Sequence, residues 1–177
     1  MDSQIAPAYQ ILKNTDLVNL QIEPHDNAQT NQKQKQVRCQ NGSNECKANK
    51  FMQCTISSYP NAQEYLPVLA CSFKSLFKSE TNANEQVEKV FSTCAARNDV
   101  NYKPIEVCYH NEKMDGELQS KSSTNYTPVN ENCNPHVEVN NKRIDITKGS
   151  LVEDICKAMD SDVTPKYCDK NNIRRRR

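Results

Sequence analysis

Apolar and polar positions follow two different rhythms along this chain. Ile5, Ala8, Tyr9, Ile11 and Leu12 recur at helical spacing and predict the end of a helix over residues 5–13. Val18, Leu20 and Ile22 then alternate with Asn19, Gln21 and Glu23, a period of two that predicts a strand. Pro24-His25-Asp26-Asn27 closes it with turn chemistry. Residues 28–36 are polar and glutamine-rich, and read as a loop. The helical rhythm returns from Glu45 to Ile56, with Ala48, Phe51, Met52 and Ile56 on one face. It continues over residues 62–78 (Leu66, Leu69, Phe73, Leu76, Phe77), over 84–96 (Val87, Val90, Phe91, Cys94) and, more weakly, over 103–121.

The second rhythm reappears late in the chain. Residues 126–135 read as a loop, and His136-Val137-Glu138-Val139 predicts a strand. Asn140-Asn141-Lys142 predicts a tight turn, because Asn tolerates positive φ. Arg143-Ile144-Asp145-Ile146 is the expected return strand. Ser150-Leu151-Val152-Glu153 has the form of a capping box, opening a helix with Leu151, Val152, Ile155, Cys156 and Met159 inward. The predicted order is helix, strand, a long helical stretch, hairpin and helix. That order resembles an α/β, thioredoxin-like fold carrying a helical insertion. No internal repeat or second core is visible, so residues 1–169 are expected to form one domain, with 170–177 a basic tail.

Composition adds a constraint. Apolar residues make up 36% of the 177 residues, and the mean hydropathy is −0.88. Ordinary globular chains carry about 45–50%, so burial alone holds this fold weakly. The nine cysteines, at 39, 46, 54, 71, 94, 108, 133, 156 and 168, supply the remainder. No Cys-x-x-Cys pair occurs, and His25, His110 and His136 have no paired-ligand spacing, so no metal or cofactor is expected. Disulfides in an oxidising compartment are the expected use of Cys39, Cys46, Cys54, Cys71, Cys94, Cys108, Cys156 and Cys168, each bond contributing about 2–4 kcal/mol. Their connectivity is open at this level. The odd count leaves a free thiol or a bond to another chain, hence a monomer or a disulfide-linked dimer.

Asn41-Gly42-Ser43 and Asn125-Tyr126-Thr127 are glycosylation sequons and agree with a secretory route. Residues 1–7 have neither the basic nor the apolar region of a signal peptide. The expectation is therefore a cytoplasmic protein with an unusual cysteine count, or a chain given without its natural start. No apolar run reaches the ~20 residues of a membrane span. The net charge of +1 implies no bulk attraction to nucleic acid. Arg174 to Arg177 read as a solvated tail, or else as a heparin, membrane or localisation patch.

One segment is specific. Residues 39–54 read Cys-Gln-Asn-Gly-Ser-Asn-Glu-Cys-Lys-Ala-Asn-Lys-Phe-Met-Gln-Cys. This resembles the signature Cys-Gln-His-Gly-x-x-Glu-Cys-x-x-Asn-x-x-x-x-Cys of the gamma-interferon-inducible lysosomal thiol reductase family. Cys39, Gln40, Gly42, Glu45, Cys46, Asn49 and Cys54 match, and Asn41 stands where the family has His. Residues 18–29 look like the family strand ending Val-Pro-Tyr-Gly-Asn-Ala, with His25 and Asp26 departing from Tyr and Gly. Residues 134–142 look like the family's Val-Pro-Trp-Val-x-Val-Asn-Gly-Lys, and Cys156 and Cys168 match the last family cysteines. The resemblance covers roughly residues 5–169.

The resemblance implies a thioredoxin-fold thiol reductase of endosomes and lysosomes, or of the secretory route, that reduces disulfides in unfolded protein substrates. The family's chemistry resides in a Cys-x-x-Cys pair at the start of its first helix. That pair, the first strand and the start of that helix are expected to be missing here, so no residue of this chain is assigned a catalytic role. In thioredoxin folds a cis-proline faces the active pair, and Pro135 is its counterpart by resemblance. Cys133 lies two residues before it, either as a free thiol or in a structural or intermolecular disulfide. Loss of a central strand exposes backbone groups at a cost of about 1–3 kcal/mol each, so the chain alone is expected to fold poorly or to be an incomplete gene product. Two functions stay open: part of a thiol–disulfide oxidoreductase, or a non-catalytic, disulfide-rich protein that binds unfolded polypeptides.

Overall fold

Four consecutive amphipathic segments, punctuated by short polar connections, give the chain its largest block of regular structure. The structure is a computed structural model. It describes residues 5–12, 18–24, 29–31, 36–39, 42–78, 84–111, 137–145, 149–159 and 168. The elements in chain order are α1 (Ile5–Leu12), β1 (Gln29–Asn31), β2 (Gln36–Arg38), α2 (Ser43–Ser58), α3 (Ala62–Lys78), α4 (Asn84–Arg97), α5 (Tyr102–Tyr109), β3 (Val137–Val139), β4 (Lys142–Ile144) and α6 (Leu151–Lys157). The chain divides into two compact units, residues 21–132 and a discontinuous unit of 1–20 with 133–177. The result is a mixed, mainly helical architecture with two separate two-stranded antiparallel sheets and several disulfides.

In the unit of residues 21–132, α2 packs on α3, α4 and α5, and α3 packs on α4. Phe51, Met52 and Cys54 of α2, Leu66, Val68 and Leu69 of α3, Val87, Phe91, Cys94 and Ala95 of α4 and Ile105 of α5 are buried. Two buried hydroxyls are satisfied locally. Thr55 donates to the Phe51 carbonyl at 2.7 Å and Ser72 to the Val68 carbonyl at 2.8 Å, each one helical turn back. Short connections fix the helix ends. The Asn61 side chain accepts from the Gln63 amide at 2.9 Å at the head of α3, and Asn101 accepts from the Lys103 amide at 3.0 Å at the head of α5. After α4, Asp99 takes φ 56°. The Val100 amide then reaches the Ala95 carbonyl at 2.9 Å and the Asp99 amide the Ala96 carbonyl at 3.3 Å, which is a Schellman closure.

In the discontinuous unit, α1 packs on α6, and Ala8, Tyr9 and Leu151 are buried. The β3–β4 hairpin pairs Val137 with Ile144 and Val139 with Lys142. Its two-residue turn has Asn140 and Asn141 at φ 50° and 60°, the left-handed pair that a tight hairpin requires. The Asn140 side-chain amide donates to the Ala158 carbonyl at 3.2 Å, tying the turn to the end of α6.

Several expectations need correction. Residues 18–24 show the alternating burial read from the sequence, but they form no β-strand. The glutamine-rich stretch read as a loop contains β1 and begins β2, with Gln29 paired to Arg38 and Asn31 to Gln36. Backbone ladder bonds need no apolar pattern, so the hydrophobic rhythm gave no sign of it. The weak helix expected over 103–121 is the short α5, ending at Tyr109, and residues 112–121 lie outside those described. The return strand ends at Ile144, and α6 ends at Lys157. Ser150 occupies the N-cap of α6, but its side chain makes no capping hydrogen bond.

Candidate functional site

The residues from Cys39 to Cys54 run from the end of β2 through most of α2, and they build two disulfides. Cys39 bonds to Cys46, seven residues on. The short loop between them is drawn in by the Gly42 amide, which donates to the Cys39 carbonyl at 3.3 Å, while the Cys46 amide donates to the Gly42 carbonyl at 3.4 Å. Gly42 is the N-cap of α2 at φ 92° and ψ −167°, a conformation essentially confined to glycine. Glu45 lies in the first turn of α2, where a carboxylate meets the positive end of the helix dipole. Asn49 is half-buried on α2.

The second bond starts at the last signature position. Cys54 is fully buried and bonds to Cys108 of α5, 54 residues away. Beside it, the Phe51 ring stacks on Tyr109 at 3.7 Å between centroids and on Phe91 at 5.1 Å. Lys50 places its ammonium 4.6 Å from the Tyr109 centroid, a cation–π contact. A third bond, Cys71–Cys94, joins α3 to α4. The fourth, Cys156–Cys168, joins α6 to the C-terminal segment. All eight described cysteines are therefore oxidised in pairs, and among the described residues no thiolate is available as a nucleophile.

The head of α5 carries the strongest electrostatic perturbation. The Tyr102 hydroxyl is buried and makes no hydrogen bond with the described residues. Burial, and then the Glu88 and Glu106 carboxylates, push its ionisation well above the usual tyrosine range. Glu106 is held below the usual carboxylate range by the 2.6 Å hydrogen bond from Lys103 and by that lysine's charge. His110 lies 3.7 Å from Glu88, with both side chains substantially exposed.

Of the remaining residues singled out from the sequence, Gln40, Asn41, Asn125, Cys133 and Pro135 lie outside the described residues. The apolar stripes carry Phe51 and Phe91, but nothing in their spacing brings Tyr102 and Tyr109 to Phe51; the one sign of Tyr109 in the sequence is that it directly follows Cys108. Among the described residues, no helix is long and apolar enough to cross a membrane.

Comparison with known proteins gives one match. The sequence model of a family described as "Gamma interferon inducible lysosomal thiol reductase (GILT)" matches residues 1–98, more than half of the chain. That span includes the whole of the Cys39–Cys54 segment and ends just after α4. No curated protein and no solved structure matches.

Proposed function

Since this chain belongs to the gamma interferon inducible lysosomal thiol reductase family, we propose that it provides the disulfide-stapled scaffold of a thiol–disulfide oxidoreductase directed at unfolded, disulfide-bonded proteins, and that these 177 residues by themselves turn over no substrate. Reduction of a disulfide requires a thiolate to attack and a neighbouring thiol to resolve the mixed disulfide. The observation that carries the reading is the state of the sulfur atoms. No two of the nine cysteines stand in a Cys-x-x-Cys pair, and the eight described ones are consumed in four cross-links.

In this reading the discontinuous unit, with α1, the β3–β4 hairpin and α6, is the thioredoxin-like part, and the helical unit is the insertion. The separation of residues 1–20 and 133–177 from residues 21–132 supports that division. Pro135 is then the active-site-adjacent proline, with Cys133 beside it. The compartment is the endosome–lysosome or the secretory route, because a reducing cytosol does not sustain four structural disulfides. Asn41 and Asn125 are the glycosylation positions that go with that route.

A second reading is favoured by the same oxidised sulfurs: a protein that binds unfolded polypeptides without reducing them. One experiment separates the two. Purified chain is assayed for insulin reduction with a dithiol as electron donor, beside its capture of reduced, denatured protein. The expected result is no reduction above the uncatalysed background. Sustained turnover overturns the inactive-scaffold reading, and absence of capture overturns the binding reading.

A further inference from the structure

The four disulfides are not equivalent in where their sulfurs lie. Cys54–Cys108 and Cys71–Cys94 each join two helices, and each has one fully buried partner, Cys54 at 0% and Cys94 at 1% exposure. Cys39–Cys46 instead closes a local loop at the head of α2, and both of its partners are partly exposed, as are both partners of Cys156–Cys168. It is also a second covalent tie between α2 and the β1–β2 hairpin, beside the main chain of residues 39–42, because Cys39 directly follows Arg38 and β2 lies against α2.

We propose that Cys39–Cys46 is a thiol-exchange site of the folded protein. Small thiols open it ahead of the helix-to-helix disulfides, and opening it loosens the β1–β2 hairpin against α2 while the aromatic core stays closed. This inference goes beyond the proposed function and does not require the chain to reduce any substrate.

The chemistry balances with two equivalents of a monothiol of the glutathione class. One thiolate attacks the Cys39 sulfur and expels Cys46 as a thiolate, leaving a mixed disulfide on Cys39. A second thiolate attacks the external sulfur of that mixed disulfide and expels Cys39. The small thiols leave as their own disulfide, having given two electrons, and their two protons pass to the cysteines. The rate follows the stability of the departing thiolate and access to the attacked sulfur. Cys46 departs into the first turn of α2, where the helix dipole favours negative charge. The Glu45 carboxylate in the same turn opposes this. Cys54 or Cys94 would depart as a thiolate sealed in an apolar core, where burial disfavours the charged form.

The consequence for the hairpin follows from its composition. An isolated two-stranded hairpin is marginal in water. The paired positions here are Gln29, Thr30 and Asn31 against Gln36, Val37 and Arg38, which offer little apolar area to bury.

The test uses the oxidised full chain, with free thiols first blocked by iodoacetamide. Samples are equilibrated with graded glutathione without denaturant and trapped with N-ethylmaleimide, and each cysteine is quantified by peptide mass spectrometry. Deuterium uptake is measured on the same samples. Trapping at Cys39 and Cys46 is expected at a glutathione concentration on the order of tenfold lower than at Cys54–Cys108 and Cys71–Cys94. Uptake over residues 36–38 is expected to rise as they are trapped, while residues 51–69 stay unchanged. The proposal is overturned if Cys54–Cys108 or Cys71–Cys94 opens at the same or a lower concentration. It is also overturned if the hairpin's uptake does not change once Cys39 and Cys46 are trapped.

Discussion

The two units reach order by different means. Residues 21–132 bury an aliphatic and aromatic core contributed by four helices and cross-link it at Cys54–Cys108 and Cys71–Cys94. In the discontinuous unit, the described buried residues are Ala8, Tyr9 and Leu151. There the visible order comes from a tight Asn-Asn turn, one side-chain bond from Asn140 to Ala158, and the Cys156–Cys168 link. Among the described residues, burial is thus concentrated in one unit, and the other relies on turn chemistry and covalent closure.

The comparison is open to attack at its strongest point. Phe51→Ala removes the ring at the centre of the stack with Phe91 and Tyr109. It should cost about 3–5 kcal/mol, read as a lower urea midpoint by far-ultraviolet circular dichroism. Leu151→Ala, at the thinner α1–α6 contact, should cost less, about 2 kcal/mol, with increased deuterium uptake in α1 and α6. If Leu151→Ala costs as much as Phe51→Ala, the contrast between the units is wrong.

The smallest effect has the opposite sign. Tyr102→Phe removes a buried hydroxyl that has no partner among the described residues. It should leave stability unchanged or raise it by up to about 1 kcal/mol at neutral pH. The variant also reports on pH. In the folded chain, tyrosine ionisation is raised above its ordinary value of 10.0. The neutral hydroxyl's contribution is therefore complete below that pH and is lost as pH climbs beyond it. Unfolding midpoints of the parent should fall on going from neutral pH to above 10 by more than those of the Phe variant. Parallel curves would remove Tyr102 as the cause.

The helical unit was the more legible of the two in the sequence. The stripes on α2, α3 and α4 gave their boundaries to within a few residues, because Phe51, Leu66, Leu69, Val87 and Phe91 are the residues that face the core. The β3–β4 hairpin was equally readable, since Asn140 and Asn141 tolerate the left-handed backbone that its turn needs. The β1–β2 hairpin was not. Its pairing is made by backbone groups of polar residues, and the segment at 18–24 that did alternate forms no strand. The Cys39–Cys54 signature identified the family, but not what its cysteines hold. The partner of Cys54 lies 54 residues away, and no spacing rule carries across that distance. The placement of Tyr102 and Tyr109 around Phe51 depends on how α5 docks, which the short apolar pattern of α5 left undetermined.

Gly42 carries a consequence for how the signature tolerates change. A Cβ built at this position would meet nothing within 4 Å, so there is room for a side chain. The obstacle is handedness: at φ 92° every L-residue, from alanine to tryptophan, meets the same backbone penalty. Intolerance at this site is thus indifferent to side-chain size, and it falls on the ring of atoms that must close for the Cys39 and Cys46 sulfurs to meet.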